Sequence, residues 1–246
     1  MTALGSYSWS HCIDYGSENY YITPRRGNCD FDVRHNLSAA FSYDLPNMGH
    51  NGFAKAVLSH WGVDNRFTAR SAFPVFLQGN LIYDPATAQQ IESGENLVSG
   101  QPIYLYGANC TSVLQGLGDL APGKGCPGGR AVNPCALVPV GGSPNQGCPA
   151  NPTILGLAPR NFVRGFDGVQ MNLAVRREFP IHESLKVQFR AEAFNVFNHP
   201  NFGNISTNGS NFGQATATLA NSLGVLSPLY QMGGPRSMQF ALKLLF

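Results

Sequence analysis

Ser237-Met238-Gln239-Phe240-Ala241-Leu242-Lys243-Leu244-Leu245-Phe246 alternates apolar with smaller or polar side chains and stops on an aromatic residue. Successive side chains of an extended chain point to opposite faces. Met238, Phe240, Leu242, Leu244 and Phe246 therefore share one face, and Ser237, Gln239, Ala241 and Lys243 share the other. A soluble sheet buries such an apolar face under a second layer. A strand that crosses a bilayer turns it to lipid and turns the polar face to a wet lumen, which is the pattern of outer-membrane barrels.

Five further segments carry the same period. Residues 169–177 set Val169, Met171, Leu173 and Val175 against Gln170, Asn172 and Arg176, and residues 186–197 set Val187, Phe189, Ala191 and Ala193 against Lys186, Gln188, Arg190 and Glu192. The pattern blurs at Phe194-Asn195-Val196-Phe197, which reads as an aromatic girdle at the membrane interface. Residues 33–43 set Val33, Leu37, Ala39, Phe41 and Tyr43 against Arg34, Asn36, Ser38 and Ser42, with His35 as the one break. Residues 61–73 set Trp61, Val63, Phe67, Ala69 and Phe73 against Asp64, Arg66, Thr68 and Arg70, and the opening segment sets Tyr7 and Trp9 against Ser6, Ser8 and Ser10. The reading is an all-β chain, an antiparallel transmembrane β-barrel fragment of about six strands with long extracellular loops.

Strands at roughly 3–12, 33–44, 61–74, 168–178, 186–197 and 236–246 leave links of about 20, 16, 93, 7 and 38 residues. Bacterial barrels keep short turns on the periplasmic side and long loops outside. The turns at 44–47 and 178–183 are therefore periplasmic, as is the C-terminus, and the other links are external. The connection 75–167, rich in Gly, Pro and Cys, is too long for an inert linker. Within it, residues 101–106 read as a short local strand, and Gly125-Cys126-Pro127-Gly128-Gly129-Arg130 and Gly141-Gly142-Ser143-Pro144 as turns.

Composition agrees with this reading. Charged residues make up only 12% of the chain, against roughly 25% in ordinary soluble domains, while Gly 28 and Pro 17 supply turn formers. The net charge of +2 and the dispersal of Lys and Arg exclude a nucleic-acid footprint. No run of about 18 apolar residues offers a helical span. The opening residues show neither a basic n-region nor an apolar h-region. Either the protein is not exported or Met1 is not the natural start.

The six cysteines, at 12, 29, 110, 126, 135 and 148, form no CxxC pair, which weakens a zinc reading. Disulfides in exported loops rank ahead of free thiols and of a metal site. Fifteen connectivities are open, and Cys12 with Cys29, near the two ends of one loop, is the first pair proposed. No catalytic, cofactor or metal residues are nominated. His11, His35, His50, His60, His182 and His199 lack paired ligand spacing, Gly125 to Arg130 lacks the lysine of a phosphate loop, and no GxSxG elbow exists. Arg190 and Glu192 share a strand face, where a hydrated ladder with Arg176 outweighs an acid/base pair. N-x-[ST] matches at Asn36, Asn109, Asn204 and Asn208 are short, frequent patterns, and Asn36 is expected to face the lumen.

Gln188-Phe189-Arg190-Ala191-Glu192-Ala193-Phe194-Asn195-Val196-Phe197-Asn198-His199-Pro200-Asn201-Phe202-Gly203, then Phe212-Gly213-Gln214 and Gly234-Pro235-Arg236-Ser237-Met238-Gln239-Phe240-Ala241-Leu242-Lys243, resembles the barrel end of TonB-dependent outer-membrane receptors. The likeness is to the Oar-like group, whose members often carry a carboxypeptidase-regulatory-like domain. Asp32-Val33-Arg34-His35-Asn36, Tyr43-Asp44-Leu45-Pro46 and Ala69-Arg70-Ser71-Ala72-Phe73-Pro74 match the same group's strands. The resemblance implies a 22-stranded barrel in the bacterial outer membrane, holding a plug and driven by an inner-membrane complex.

Residues 1–246 correspond to its C-terminal segment, with plug and N-terminal domains absent. The implied partners are outer-membrane lipid, the barrel-assembly machinery, an unidentified substrate, and the TonB complex through the missing N-terminal parts. Phe240, Leu242, Leu244 and Phe246 would form the barrel's C-terminal signature. Arg66, Arg70, Arg176, Arg190 and Glu192 would line the lumen. Asn195, Phe197, Asn198, His199, Pro200, Asn201, Phe202 and Gly203 would form a strand-to-loop motif. The expected role is non-enzymatic. Six strands fall below the eight of the smallest single-chain barrels, so the alternatives are a barrel assembled from several short chains and a secreted, disulfide-containing β-sandwich binding module.

Overall fold

A computed structural model of the chain describes residues 1–16, 25–46, 52–77, 79–86, 88–182, 185–207, 209–219 and 233–246. His50, Asn47, Glu183 and the Asn208 sequence match lie outside them. Six strands form one antiparallel sheet in chain order: Thr2–Trp9, His35–Asp44, Trp61–Arg70, Gly168–His182, Leu185–Phe194 and Ser237–Leu245. Each pairs only with its sequence neighbours, as an up-and-down barrel wall requires.

The register aligns the period-two faces across every pair. Val175 stands opposite Val63 and Ala191, and Ala191 opposite Phe240. Leu37 stands opposite Ala69 and Tyr7. One apolar face thus runs from the first strand to the last. It is bare: Phe240, Leu242 and Leu244 are 68%, 76% and 62% exposed. At about 1.5–3 kcal/mol per large apolar side chain removed from water, an uncovered face of this extent cannot be stable in an aqueous phase. Hydrocarbon is the layer that completes it.

His35, the break in its segment, faces outward beside Tyr7, whose hydroxyl meets His35 Nδ1 at 2.8 Å. Arg177 also falls on the apolar face. Its guanidinium lies 4.5 Å from the Phe179 ring centroid and 5.2 Å from that of Trp61, so an aromatic pair shields the charge near the short-link end.

Several boundaries differ from those read in the sequence. The fourth strand continues to His182, which shortens the following link to two residues. The fifth stops at Phe194 because Asn195 turns to a φ of +49°, and Phe194 belongs to the polar face, not to an outer girdle. The third strand ends at Arg70, leaving Phe73 outside it, where the Arg70 guanidinium covers its ring at 4.1 Å. The second strand begins at His35, so Val33 precedes it. The helix Gly52–Leu58 occupies the second link and is fastened by Trp61 Nε1, which donates to the Val57 carbonyl at 2.9 Å.

The three long links meet at one end of the sheet and hold the hydrophobic core. Leu77, Val132, Ala136, Leu137, Val163 and Ile205 form one buried cluster, and Leu105, Cys110, Leu114 and Ala131 another. The connection 75–167 contains the helix Gly107–Leu117 and several short strand pairs, among them Tyr104–Tyr106 with Arg130–Val132. The local strand expected over 101–106 is thus confined to its last half.

Replacing Leu242 with Arg places a charge on the apolar face, whereas Ala241→Arg places it on the polar face. The first change is expected to cost about 2–4 kcal/mol near the bilayer midplane and the second far less. Urea titration of outer-membrane vesicles that carry the assembled chain measures the difference; equal costs would contradict the assignment of faces.

Candidate functional site

The polar face divides into two regions of different charge. Towards the short-link end, Asp44, Gly62 and Arg176 lie side by side on the second, third and fourth strands. A Cβ on Gly62 would fall 2.6 Å from Arg176 Cζ. Glycine therefore leaves the gap through which this guanidinium crosses the third strand to the Asp44 carboxylate. Arg176 also reaches Asp64 at 3.3 Å, and Arg190 joins Asp64 at 2.5 Å and Glu192 at 3.5 Å. Ser42 Oγ donates to Asp64 at 2.7 Å. Lys186 pairs with Glu178 at 3.7 Å, and Gln188 Nε2 donates to Glu178 at 3.1 Å. Single pairs of this kind contribute little. Linked across four strands, they oppose register slip, because a one-residue shift would drive both arginines onto the apolar face.

Towards the long-link end the rows are Asn36–Arg70–Gly168, Ser38–Thr68–Gln170 and Ala40–Arg66–Asn172. They contain two arginines and no carboxylate. The structure thus separates the arginines read together in the sequence. Arg176 and Arg190 are neutralised with Asp44, Asp64 and Glu192 in the ladder, while Arg66 and Arg70 form no ion pair among the described residues, although Arg66 borders a recess of about 440 Å³ that Asp64, Arg190 and Glu192 also line.

Where the fifth strand ends, Asn195 organises the exit. Its amide accepts nothing from solvent: it is 2% exposed. Nδ2 donates to the carbonyls of His199 and Gly234, both at 2.9 Å, and Oδ1 accepts the His199 N–H at 3.0 Å. Asn tolerates the left-handed backbone and can bond local main-chain groups. Asn198 repeats the device with a φ of +50° and accepts the Arg236 N–H at 3.2 Å. Asn201 Oδ1 accepts the Val169 N–H at 2.8 Å, tying the loop to the fourth strand. Phe202 lies 5.0 Å from Phe166, Phe197 points outward at 71% exposure, and Gly203 N–H donates to the Ala217 carbonyl at 2.8 Å. The His199 carbonyl also accepts Asn201 Nδ2 at 3.3 Å, so both asparagines engage the backbone just before Pro200.

The long links are braced internally by disulfides and joined to one another by ion pairs. Disulfides join Cys12 to Cys29, Cys110 to Cys126 and Cys135 to Cys148. Asp32, with its side chain buried, accepts the Cys12 N–H at 2.8 Å and Arg34 Nε at 2.9 Å, and pairs with Arg164. Burial opposes its charge, but the hydrogen bonds from Arg164, Cys12 and Arg34 prevail and hold its carboxyl well below the usual range. The buried Arg160 pairs with Asp14 and, at 2.8 Å, with Asp30. Glu95 behaves oppositely: burial, reinforced by Glu92 and countered by Arg25, pushes its carboxyl up to about 7. No sequence periodicity marks Arg160 and Arg164, whose ion pairs join links more than a hundred residues apart, or Glu95, whose environment is set by Arg25 and Glu92 from different parts of the links.

Residues 1–239 match a family model described as "Outer membrane beta barrel domain". No curated protein and no solved structure matches the chain.

Asn195→Ala loses these backbone bonds and forces alanine to a positive φ. A destabilisation of about 2–3 kcal/mol is expected, read as a lowered urea midpoint. For Glu95, the folded chain keeps the proton up to about pH 7, whereas the unfolded chain releases it near the ordinary 4.5. The stability of the cap, the body that the three long links form at one end of the sheet, should therefore fall as pH rises between those values and level off above them. Hydrogen exchange of the strand Glu95–Val98 measures this slope, which Glu95→Gln should flatten; an unchanged slope would assign the effect elsewhere.

Proposed function

The chain belongs to the outer-membrane β-barrel domain family and resides in the bacterial outer membrane, and from that premise we propose that it forms part of the wall of a TonB-dependent transporter of the Oar-like kind. The observation that carries this reading is the sheet itself. Its six strands are continuous in register, yet the outer edges of Thr2–Trp9 and Ser237–Leu245 have no strand partner among the described residues. Backbone N–H and C=O groups left open in hydrocarbon cost several kcal/mol each, so both edges must be closed by further strands.

In this role the chain contributes C-terminal wall, lumen lining and external loops to energy-coupled uptake of a bulky substrate. Plug and TonB contact are supplied by other segments. The role is non-enzymatic: Arg190 and Glu192 are engaged as ladder members, which accounts for both without any reaction. The C-terminal stripe Phe240, Leu242, Leu244 and Phe246 suits recognition by the barrel-assembly machinery. The tied external links suit a surface met by the substrate from outside.

A second reading, closure by several copies of this chain, is favoured by the same open edges. Ser6→Cys on the first strand and Gln239→Cys on the last distinguish the two. A short bismaleimide joins only two thiols, so in outer membranes a transporter wall, which holds these two cysteines five strands apart, gives no bridged multimers. A ladder of multiples of the 26.5 kDa chain joined first strand to last would overturn the proposal in favour of self-assembly.

A further inference from the structure

The long-link half of the polar face holds charge that the ladder does not consume. Arg66 is exposed and makes no hydrogen bond or ion pair among the described residues, and the side chains of Asn36, Ser38 and Thr68 around it likewise donate to and accept from no other described group. With Arg70, these four line a recess of about 210 Å³. Arg70 Nη1 donates to the Ser71 carbonyl at 3.2 Å, and the guanidinium lies over Phe73. Asp167 is the carboxylate whose field it feels, but that group accepts the Ala72 N–H at 2.7 Å and forms no ion pair with Arg70.

Arg70 also borders a second recess, of about 330 Å³, lined by Phe73, Phe166 and Phe202. Two guanidiniums four residues apart on one strand face have Cα atoms about 13 Å apart, close enough for both side chains to reach one multiply charged solute. The hydroxyls and amide between them add neutral hydrogen bonds. The aromatic recess adds an apolar wall beside the anion.

We propose that this end of the lumen binds oxyanions, specifically carboxylates carried on an aromatic or apolar body, with Arg66 and Arg70 as the charged contacts and the Phe73–Phe166–Phe202 recess holding the body. The proposal rests on the lumen reading above and names the class of solute admitted there. The ladder explains why the preference is local. Arg176 and Arg190 have their charge spent on Asp44, Asp64 and Glu192, so the guanidiniums left for an anion are Arg66, which borders the recess of Asp64 and Glu192, and Arg70 beside it on the same strand face.

The test is equilibrium dialysis of radiolabelled trimesate, a benzene ring bearing three carboxylates, against outer-membrane vesicles containing the full chain, with citrate and glucose as competitors. Trimesate should bind, citrate should compete more weakly, and glucose should not compete. Arg66→Gln and Arg70→Gln should each weaken trimesate binding about tenfold or more, as loss of a charge-assisted contact requires. Lys243→Gln, at the opposite end of the lumen, should change it by less than about twofold. Phe202→Ala should weaken trimesate and leave citrate unchanged.

Binding that survives both arginine substitutions, or no binding to vesicles in which the chain is assembled, overturns the site. Equal competition by citrate overturns the role of the aromatic recess. The cross-linking outcome is independent of these results. Self-assembled multimers that still bind trimesate would refute the transporter wall and keep the oxyanion site, whereas a single large barrel that binds none would do the reverse.

Discussion

Continuous backbone pairing from the first strand to the last is the constraint to which the rest of this chain conforms. In hydrocarbon a main-chain polar group can be satisfied only by a neighbouring strand, so register is not free to drift. The alternation of side chains then does two things at once. It presents Phe240, Leu242 and Leu244 to lipid and sends Arg176 and Arg190 to the opposite face, where Asp44, Asp64 and Glu192 await them. A slip of one residue would break both arrangements together, and that coupling gives the ion ladder a value its individual pairs lack.

This logic also decides what could be read from the sequence. Period-two patterning is local, so the six strands, their faces and their neighbours were legible from segments such as 169–177 and 186–197. Their ends were not. Asn195 interrupts the fifth strand through a positive φ and a set of bonds to His199 and Gly234, and only the latter, distant in sequence, explains why asparagine stands there. The helices Gly52–Leu58 and Gly107–Leu117 were missed for a related reason: each is short, and the second buries only Cys110 and Leu114 within links dominated by turn formers.

The polar face was legible as a face but not as a charge distribution. Arg66, Arg70, Arg176 and Arg190 look alike in sequence. Their difference comes from lateral register, which sets Arg176 beside Gly62 and Asp44 and Arg190 within reach of Asp64, while Arg66 stands between Ala40 and Asn172 and Arg70 between Asn36 and Gly168. Gly62 is informative in retrospect. In a strand interior it weakens packing, and here the lost side chain is the opening that lets an arginine span three strands.

Wall and cap obtain their stability from opposite sources. The wall turns its apolar side chains outward and depends on lipid, whereas the cap buries Leu77, Val132, Leu137 and Leu114 and is cross-linked by three disulfides. Neither supplies what holds the other, so their junction must be made of specific polar bonds. Asn201 accepting the Val169 N–H, Gln170 accepting the Gly233 N–H at 2.6 Å and Asp167 accepting the Ala72 N–H are such bonds, each anchoring a loop at a strand end. Movement of the cap as a body would have to break this ring of contacts first, and the hydrophobic core above it would pass through the movement intact.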